Sequence, residues 1–450
     1  MKTISIEEAK RLVAEGEQMT IEQRAEVRRQ RLHELVNYAR ENSPYFAKLY
    51  ADIPEDFELT DLPATEKPVL AANFDDWVTD RRINKDMVTE YLDRDAEKDH
   101  SLLLDQYTAL HTSGSTGNPL LMVRDDYHNK IHAQLIAQRL LKGTTPDMLS
   151  IAKHRRASVI SLSKGASSYG AFLRIKANNP DFADNLLGIN VIESVDSIVK
   201  KLNDFQPETM AGYPSMMVQL AVEQLQGRLH LSLKHLVTSA ETLTEKNYKL
   251  LRQAFQCPVG NNYCMTEGGE VAMTHNCPHL HINDDWIIVE PVDADLRPVK
   301  DPEEWSQGVL ITDLSNFIQP VIRYYVNDMV RIVPSDEACS TMPILKVQGR
   351  TLPVFTMGGK NYSVAGLFAK AEVWPDLVSF QFVQIDDATI QVRGVCKSEP
   401  DKVLSPLCVC LKEFMEEMGC PDAHFTWSTD PLIPNKRGGK IPLYVNNIQN

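Results

Sequence analysis

Between residues 157 and 262, strand-like runs alternate with helical stretches, and that alternation confines the chain to an α/β architecture. The runs lie at 157–162, 187–192, 209–212, 234–238 and 258–262. Between them, Ser194 to Phe205 and Pro214 to Leu225 read as helices, the second opened by Pro and followed by Gly227. Such an order predicts a parallel sheet covered by helices, with ligands bound beyond the C-terminal ends of its strands. Two segments leave the sheet on that side. They are Ser239-Ala240-Glu241 and Asn261 to Gly269, so Glu241, Tyr263, Thr266 and Glu267 are expected to converge on one ligand.

The flanks are less regular. Thr20 with Gln23 forms a capping-box pattern, and Ile21, Leu32, Leu35, Val36 and Ala39 share one side of a helix reaching to about residue 41. Short helices and Pro-punctuated loops follow to about 105, and Gly308 to Asp328 reads as β-structure. Beyond Gly349-Arg350 the texture becomes strand, strand, helix and strand, the helix carrying Leu404, Leu407, Cys408, Leu411, Phe414, Met415 and Met418 on its apolar side. We therefore divide the chain into a large domain, 1–350, and a small α+β domain, 351–450.

The most informative functional segment is His111 to Pro119, where Thr112, Ser113, Gly114, Ser115, Thr116 and Gly117 run consecutively. Small residues let backbone N–H groups turn inward and hydroxyls add donors, which suits a polyphosphate. The flanking runs 106–110 and 120–124 are β-type, so the loop joins two strands. A Walker loop or a dinucleotide fingerprint would open a helix, and both are excluded. An ordinary hairpin turn needs only about two to five residues. The net charge of -14 argues against sequence-independent binding to nucleic acid or an anionic membrane. No run approaches the roughly eighteen apolar residues of a membrane span, and the acidic start does not suit a signal peptide. A cytoplasmic protein is expected, its eight scattered cysteines mostly reduced core thiols.

Taken in order, the Thr-Ser-Gly-Ser-Thr-Gly loop, Ser239-Ala-Glu241, Tyr263-x-x-Thr266-Glu267, Arg323-Tyr-x-x-x-Asp328, Gly349-Arg350 and Gly438-Gly-Lys440 resemble the adenylate-forming acyl-CoA synthetase superfamily. Within it the chain looks most like the phenylacetate-CoA ligase branch and its CapK-like relatives, over nearly its whole length. The resemblance implies ATP-dependent activation of a carboxylate to an acyl-adenylate, then transfer to a thiol. It implies that Thr112 to Gly117 hold the β- and γ-phosphates. Ser239, Ala240, Glu241, Asn262 and Tyr263 would form the adenine pocket, Thr266 would bond phosphate and Glu267 would bind Mg2+. Asp328 would accept the ribose hydroxyls with Arg350 nearby, and Lys440 would neutralise charge during attack on the α-phosphate. Each also has a structural reading, such as Glu241 capping the helix after it or Lys440 as a solvated surface charge.

Three departures stand out. Cys264 replaces the Gly that usually follows the adenine-stacking tyrosine, which bears on the acyl pocket. Thr351-Leu-Pro353 replaces the usual hinge Asp, which bears on domain movement between half-reactions. The resemblance also implies a zinc set of Cys277, His281 and Cys339, but one thiol of the usual four ligands is lost, which favours a relic cluster packed as small residues. The expected reaction couples a small, aromatic carboxylic acid to CoA with ATP and Mg2+. A carrier-protein thiol or an amine is the alternative acceptor, and a catalytically impaired nucleotide-binding scaffold the alternative class. A homodimer is suggested by analogy with relatives alone.

Overall fold

The computed structural model describes residues 2–94, 101–112, 119–142, 150–162, 167–275, 277–299, 301–335, 339–350, 354–372, 374–434 and 441–448. The chain begins with helices α1 (Ile6–Gln18) and α2 (Ile21–Asn42), then the shorter α3 (Pro44–Leu49), α4 (Lys67–Ala72), α5 (Phe74–Trp77) and α6 (Lys85–Asp93). The capping box forms as expected: Thr20 Oγ1 accepts from Gln23 N, and the Gln23 side chain accepts from Thr20 N. Leu32, Leu35, Val36 and Ala39 are buried, but Ile21, at the first helical position, lies outside the packed stripe and is exposed at 63%.

An antiparallel hairpin of β1 (Thr108–His111) and β2 (Leu121–Arg124) leads straight into α7 (Asp126–Leu135), capped by Asp125 and continued by a π turn at Ile136–Leu140. The alternating stretch is β3 (Arg156–Ile160), α8 (Ser167–Ala177), β4 (Leu186–Asn190), α9 (Val195–Phe205), β5 (Thr209–Gly212), α10 (Pro214–Leu225), β6 (His235–Ser239), α11 (Glu245–Phe255) and β7 (Val259–Met265). Its strands pair in parallel, in the order β4-β3-β5-β6-β7. The sheet then turns antiparallel through β8 (Gly269–Thr274) and β9 (Leu280–Ile282). A separate antiparallel sheet holds β10 (Ile287–Val292), β11 (Gly308–Asp313) and β12 (Val321–Val326). The large sheet is completed by β13 (Asp328–Val333) and β14 (Ile344–Arg350), giving nine strands, so the parallel expectation holds for β3 to β7 and not for the rest.

The smaller part comprises the β15 (Val354–Met357) and β16 (Lys360–Ser363) hairpin, α12 (Val364–Glu372), β17 (Leu377–Gln384), β18 (Thr389–Cys396), α13 (Pro400–Glu417), β19 (His424–Ser428) and β20 (Tyr444–Asn446). It has its own core, in which Leu404, Leu407, Cys408, Leu411 and Met415 of α13 are buried. Met418, expected on that face, lies at the helix end and is exposed. No helix among the described residues is long and apolar enough to cross a membrane.

The N-terminal helices are fastened by buried charge. Arg139, in the π turn, donates both terminal nitrogens to the Asp285 carboxylate at 2.8 Å and one of them to Asn283 Oδ1 at 2.9 Å. Arg24 of α2 pairs with Asp284 at 3.0 Å, and Arg31 stacks 3.4 Å over the Trp286 ring. Gly16 of α1 lies so close that a Cβ there would collide with the Asp285 carboxylate. Removing one partner of a buried pair strands the other. Arg139→Met should therefore lower stability by about 3–5 kcal/mol in urea unfolding, and adding Asp285→Asn should recover part of the loss; a single-variant cost below about 1 kcal/mol would contradict this role.

Candidate nucleotide site

The loop expected to grip phosphate springs from the β1–β2 hairpin, as the strand–loop–strand reading requires. Its neck is closed by Thr112, whose N–H donates to Leu120 O at 2.9 Å while its Oγ1 accepts from Leu120 N at 2.9 Å. The Thr112 hydroxyl thus shapes the loop base. Ser113, Gly114, Ser115, Thr116, Gly117 and Lys440 lie outside the described residues, as do Thr351, Leu352, Pro353 and the Arg350 side chain.

The remaining expected residues gather at one edge of the large sheet. Ser239 and Asn262 are register partners on β6 and β7. Ala240 then takes φ 69°, a left-handed conformation unusual for a residue with a Cβ, and this turns the chain off β6 toward Glu241. Glu241 Oε2 accepts from Ser215 N at 2.9 Å, in the first turn of α10, where amides lack helical partners. Glu241 does cap a helix, but an earlier one; α11, which follows it, is capped by Thr244. Its other oxygen accepts from Ile441 N at 3.3 Å, bringing the residue after Lys440 to the same edge.

Tyr263 O–H donates to Asp328 Oδ2 at 2.6 Å, so the residues expected at adenine and ribose touch. Asp328 stands opposite Arg350 on the β13–β14 ladder. Glu267 Oε1 accepts from Tyr324 O–H at 3.0 Å, and Thr266 O accepts from Arg124 Nη2 at 2.8 Å. Asn262 is buried, and its Oδ1 finds no donor among the described residues. The ladder between β7 and β8 shifts register at Tyr263/Cys264, so the position where Cys replaces Gly is also where the strand pairing is irregular.

The sequence reading missed a second feature, the buried polar turn between β11 and β12. Asp313, Ser315, Asn316 and Gln319 have no exposed surface. Gln319 Oε1 accepts from Val123 N at 2.6 Å and Gln319 Nε2 donates to Leu121 O at 3.1 Å, while Asn316 Nδ2 donates to Val123 O at 3.3 Å. Side-chain amides thereby pair the open edge of β2. Ser315 Oγ donates to Asp313 Oδ1 at 2.6 Å and lies 3.0 Å from both His128 Nδ1 and His132 Nε2. The two imidazoles stack with centroids 4.0 Å apart, and His132 Nδ1 donates to Glu270 Oε2 at 2.6 Å. A signal was present: four polar side chains interleaved with Phe317 and Ile318 between two apolar strands.

Charge in this cluster is sorted by its partners. Burial, reinforced by the charge of His132, pushes His128 down to about 3, leaving it neutral. Burial also opposes charge on His132, but its contacts with Asp313 and Glu270 outweigh that and push it up to about 9. Asp313, despite burial, is held below the usual carboxylate range by the two histidines. Donor atoms of His128, His132 and Asp313 lie close enough to ring a cation. The Ser315 hydroxyl lies within hydrogen-bond distance of all three, so hydrogen bonding through it joins the cluster.

Cys277, His281 and Cys339 do come together. Cys277 Sγ and Cys339 Sγ lie 3.2 Å and 3.6 Å from His281 Nε2, and His281 Nδ1 is fixed by Met342 O at 2.8 Å. Ligands around one tetrahedral zinc stand about 3.6 Å apart, so these donors fit one. Nearby, His275 is buried with Nε2 unpartnered among the described residues, its ring 5.1 Å from that of His281.

No family model matches the chain. Protein CapK of Staphylococcus aureus is 25% identical over 438 residues, which are 94% of this chain and 89% of the relative. The structure of 2-hydroxyisobutyryl-CoA ligase in the postadenylation state, in complex with 2-HIB-AMP, superposes with a TM-score of 0.68 at 16% identity, covering 95% of this chain and 90% of that one. The same ligase with 2-HIB-AMP and CoA in the thioesterification state gives 0.58 at 18% identity, over 96% and 92% of the two chains. The chain has the fold of the adenylate-forming ligases. In this chain the Thr266–Glu270 turn packs on α7, because Gly269, at φ 62°, leaves room for the His132 ring that a Cβ would overlap. Gly269→Ala should lower stability by about 1–3 kcal/mol. Gly227→Ala, also at positive φ but with open space around it, should cost less; equal losses in urea unfolding would remove the packing argument.

Proposed function

We propose that this chain activates a small carboxylic acid with ATP and passes the acyl group to CoA. The carrying observation is the shared edge of Glu241, Tyr263 and Asp328, to which the Ile441 N–H is also bonded. Residues 241 and 441 are two hundred positions apart in sequence, and their contact supports a lysine at 440 acting beside the nucleotide. Asp328 would accept the ribose hydroxyls, its orientation steadied by Tyr263. Asn262 Oδ1, buried and without a donor among the described residues, would accept a hydrogen bond from the base. Glu267 offers the hard oxygen that Mg2+ prefers.

In the first half-reaction a carboxylate oxygen bonds to the α-phosphorus as the bond to pyrophosphate breaks. Thr112 to Gly117 would hold the departing phosphates, and Lys440 would offset the charge gathering between carboxylate and α-phosphate. In the second, a thiol sulfur bonds to the acyl carbon, AMP leaves with the bonding electrons, and the thiol proton is released. The domain division is proposed at 350/351. An aromatic acid remains an expectation from sequence resemblance, since the structural relative above is named for a small hydroxy acid.

Pyrophosphate exchange over a carboxylic-acid panel should identify an acid that supports exchange, with thioester formed once CoA is added. Glu267→Gln and Lys440→Ala should each lower exchange at least about a hundredfold, Lys440→Ala with nucleotide binding nearly intact. Exchange without thioester would move the acceptor to a carrier thiol or an amine, and ATP binding without exchange for any acid would leave the scaffold reading.

The donors around His281 also support a structural zinc held by Cys277, His281 and Cys339. His281 pairs with Ile344 at one end of β14 and Asp328 with Arg350 at the other, so the ion would sit about 20 Å from the ribose residues. It would tie β9 to the segment before β14 and take no part in the chemistry. Metal analysis of the purified protein should find about one zinc per chain, lost in Cys339→Ser; a metal-free wild type that folds and unfolds as the zinc-treated one does would leave the relic reading.

A further inference from the structure

We propose that α7 is the mount of the magnesium-binding turn and that His132 is its positioning residue, an inference that rests on the adenylation reading. The turn in question, Thr266 to Glu270, carries Glu267 and is fastened at both ends. At its start, Thr266 O accepts from Arg124, the residue just before the α7 cap. At its finish, Glu270 Oε2 accepts from His132 Nδ1, and the Gly269 backbone lies against the same ring. Neither Arg124 nor His132 contacts Glu267 in any hydrogen bond or ion pair among the described residues; both act on the backbone that aims it.

The mount is itself rigidly held. His132 faces Glu270 from β8, Asp313 and Ser315 from the end of β11, and His128 from its own helix. A doubly protonated imidazole spans this set, giving Nδ1–H to Glu270 and Nε2–H to Ser315, whose own O–H donates to Asp313. A neutral imidazole has one N–H and can serve only one side. The helix, moreover, is continuous with β2, whose other end carries the phosphate loop. Thr112 and Thr266 are thus both fastened to the segment that runs into α7, the first through Leu120 and the second through Arg124. Partners that orient a ligand from behind it commonly control metal affinity by about 10- to 100-fold.

The experiment measures ATP affinity with and without Mg2+ for the wild type, Glu270→Gln and His132→Gln, with urea unfolding in parallel. Glu270→Gln keeps the shape of the side chain and so guards against a variant that merely fails to fold. Each variant should lose about tenfold or more of the Mg2+-dependent part of ATP affinity while Mg2+-free binding stays unchanged. The double variant should be little worse than either single one, because the two residues act as one contact. Variants that keep the wild-type Mg2+ dependence, or that weaken Mg2+-free ATP equally, would overturn the proposal. A wild type that binds Mg2+·ATP and shows this pattern without pyrophosphate exchange would overturn the adenylation reading and leave the mount standing. A wild type indifferent to Mg2+ would end both.

Discussion

A carboxylate shut away from water must find its donors within the protein, and Asp313 finds them in Ser315 and the two stacked histidines of α7. Much of the site depends on that requirement. Once Asp313 is satisfied, α7 is fixed against the end of β11, and its far side is free to hold the Thr266–Glu270 turn. The same buried stretch supplies Asn316 and Gln319 to β2, so the hairpin below the phosphate loop gains its missing strand partner from side chains. The stretch Asp313–Gln319 thus ties both α7 and β2 to the end of β11.

Buried charge serves two distinct ends in this molecule. At Asp285 the carboxylate meets the Arg139 guanidinium in a two-pronged pair, a geometry that fixes distance and angle together. It holds the N-terminal helices on the sheet. At Asp313 the charge is spread through hydroxyl and imidazole groups, each able to donate and accept, and the network can reach Glu270 on a different strand. The first arrangement locks, while the second transmits.

The local elements were legible because their signals are local. Pro214 to Leu225 forms the helix expected, ended near Gly227, and Thr20 with Gln23 forms its capping box. The ordered motifs also led to the sheet edge where Tyr263 meets Asp328. What stayed hidden depends on chain-distant geometry. Glu241 caps α10, which precedes it by 26 residues at Ser215, a contact that no periodicity reveals. The Asp313–Gln319 turn falls inside a stretch that reads only as β-structure, since polarity in sequence does not tell water from protein as the partner. Cys277, His281 and Cys339 looked incomplete with one thiol missing, and only the β9–β14 pairing brings the distant Cys339 to the other two.

The way Gln319 and Asn316 hold β2 bears on which positions of that strand can be exchanged. Both amides reach main-chain atoms of Leu121 and Val123, and none of their bonds is spent on the side chains of that strand. Exchanging residues along β2 leaves those bonds intact so long as the backbone path is kept. That freedom is greatest at Leu121, the half-buried residue of the strand, because Met122 and Val123 are buried and the Arg124 side chain holds Thr266 O.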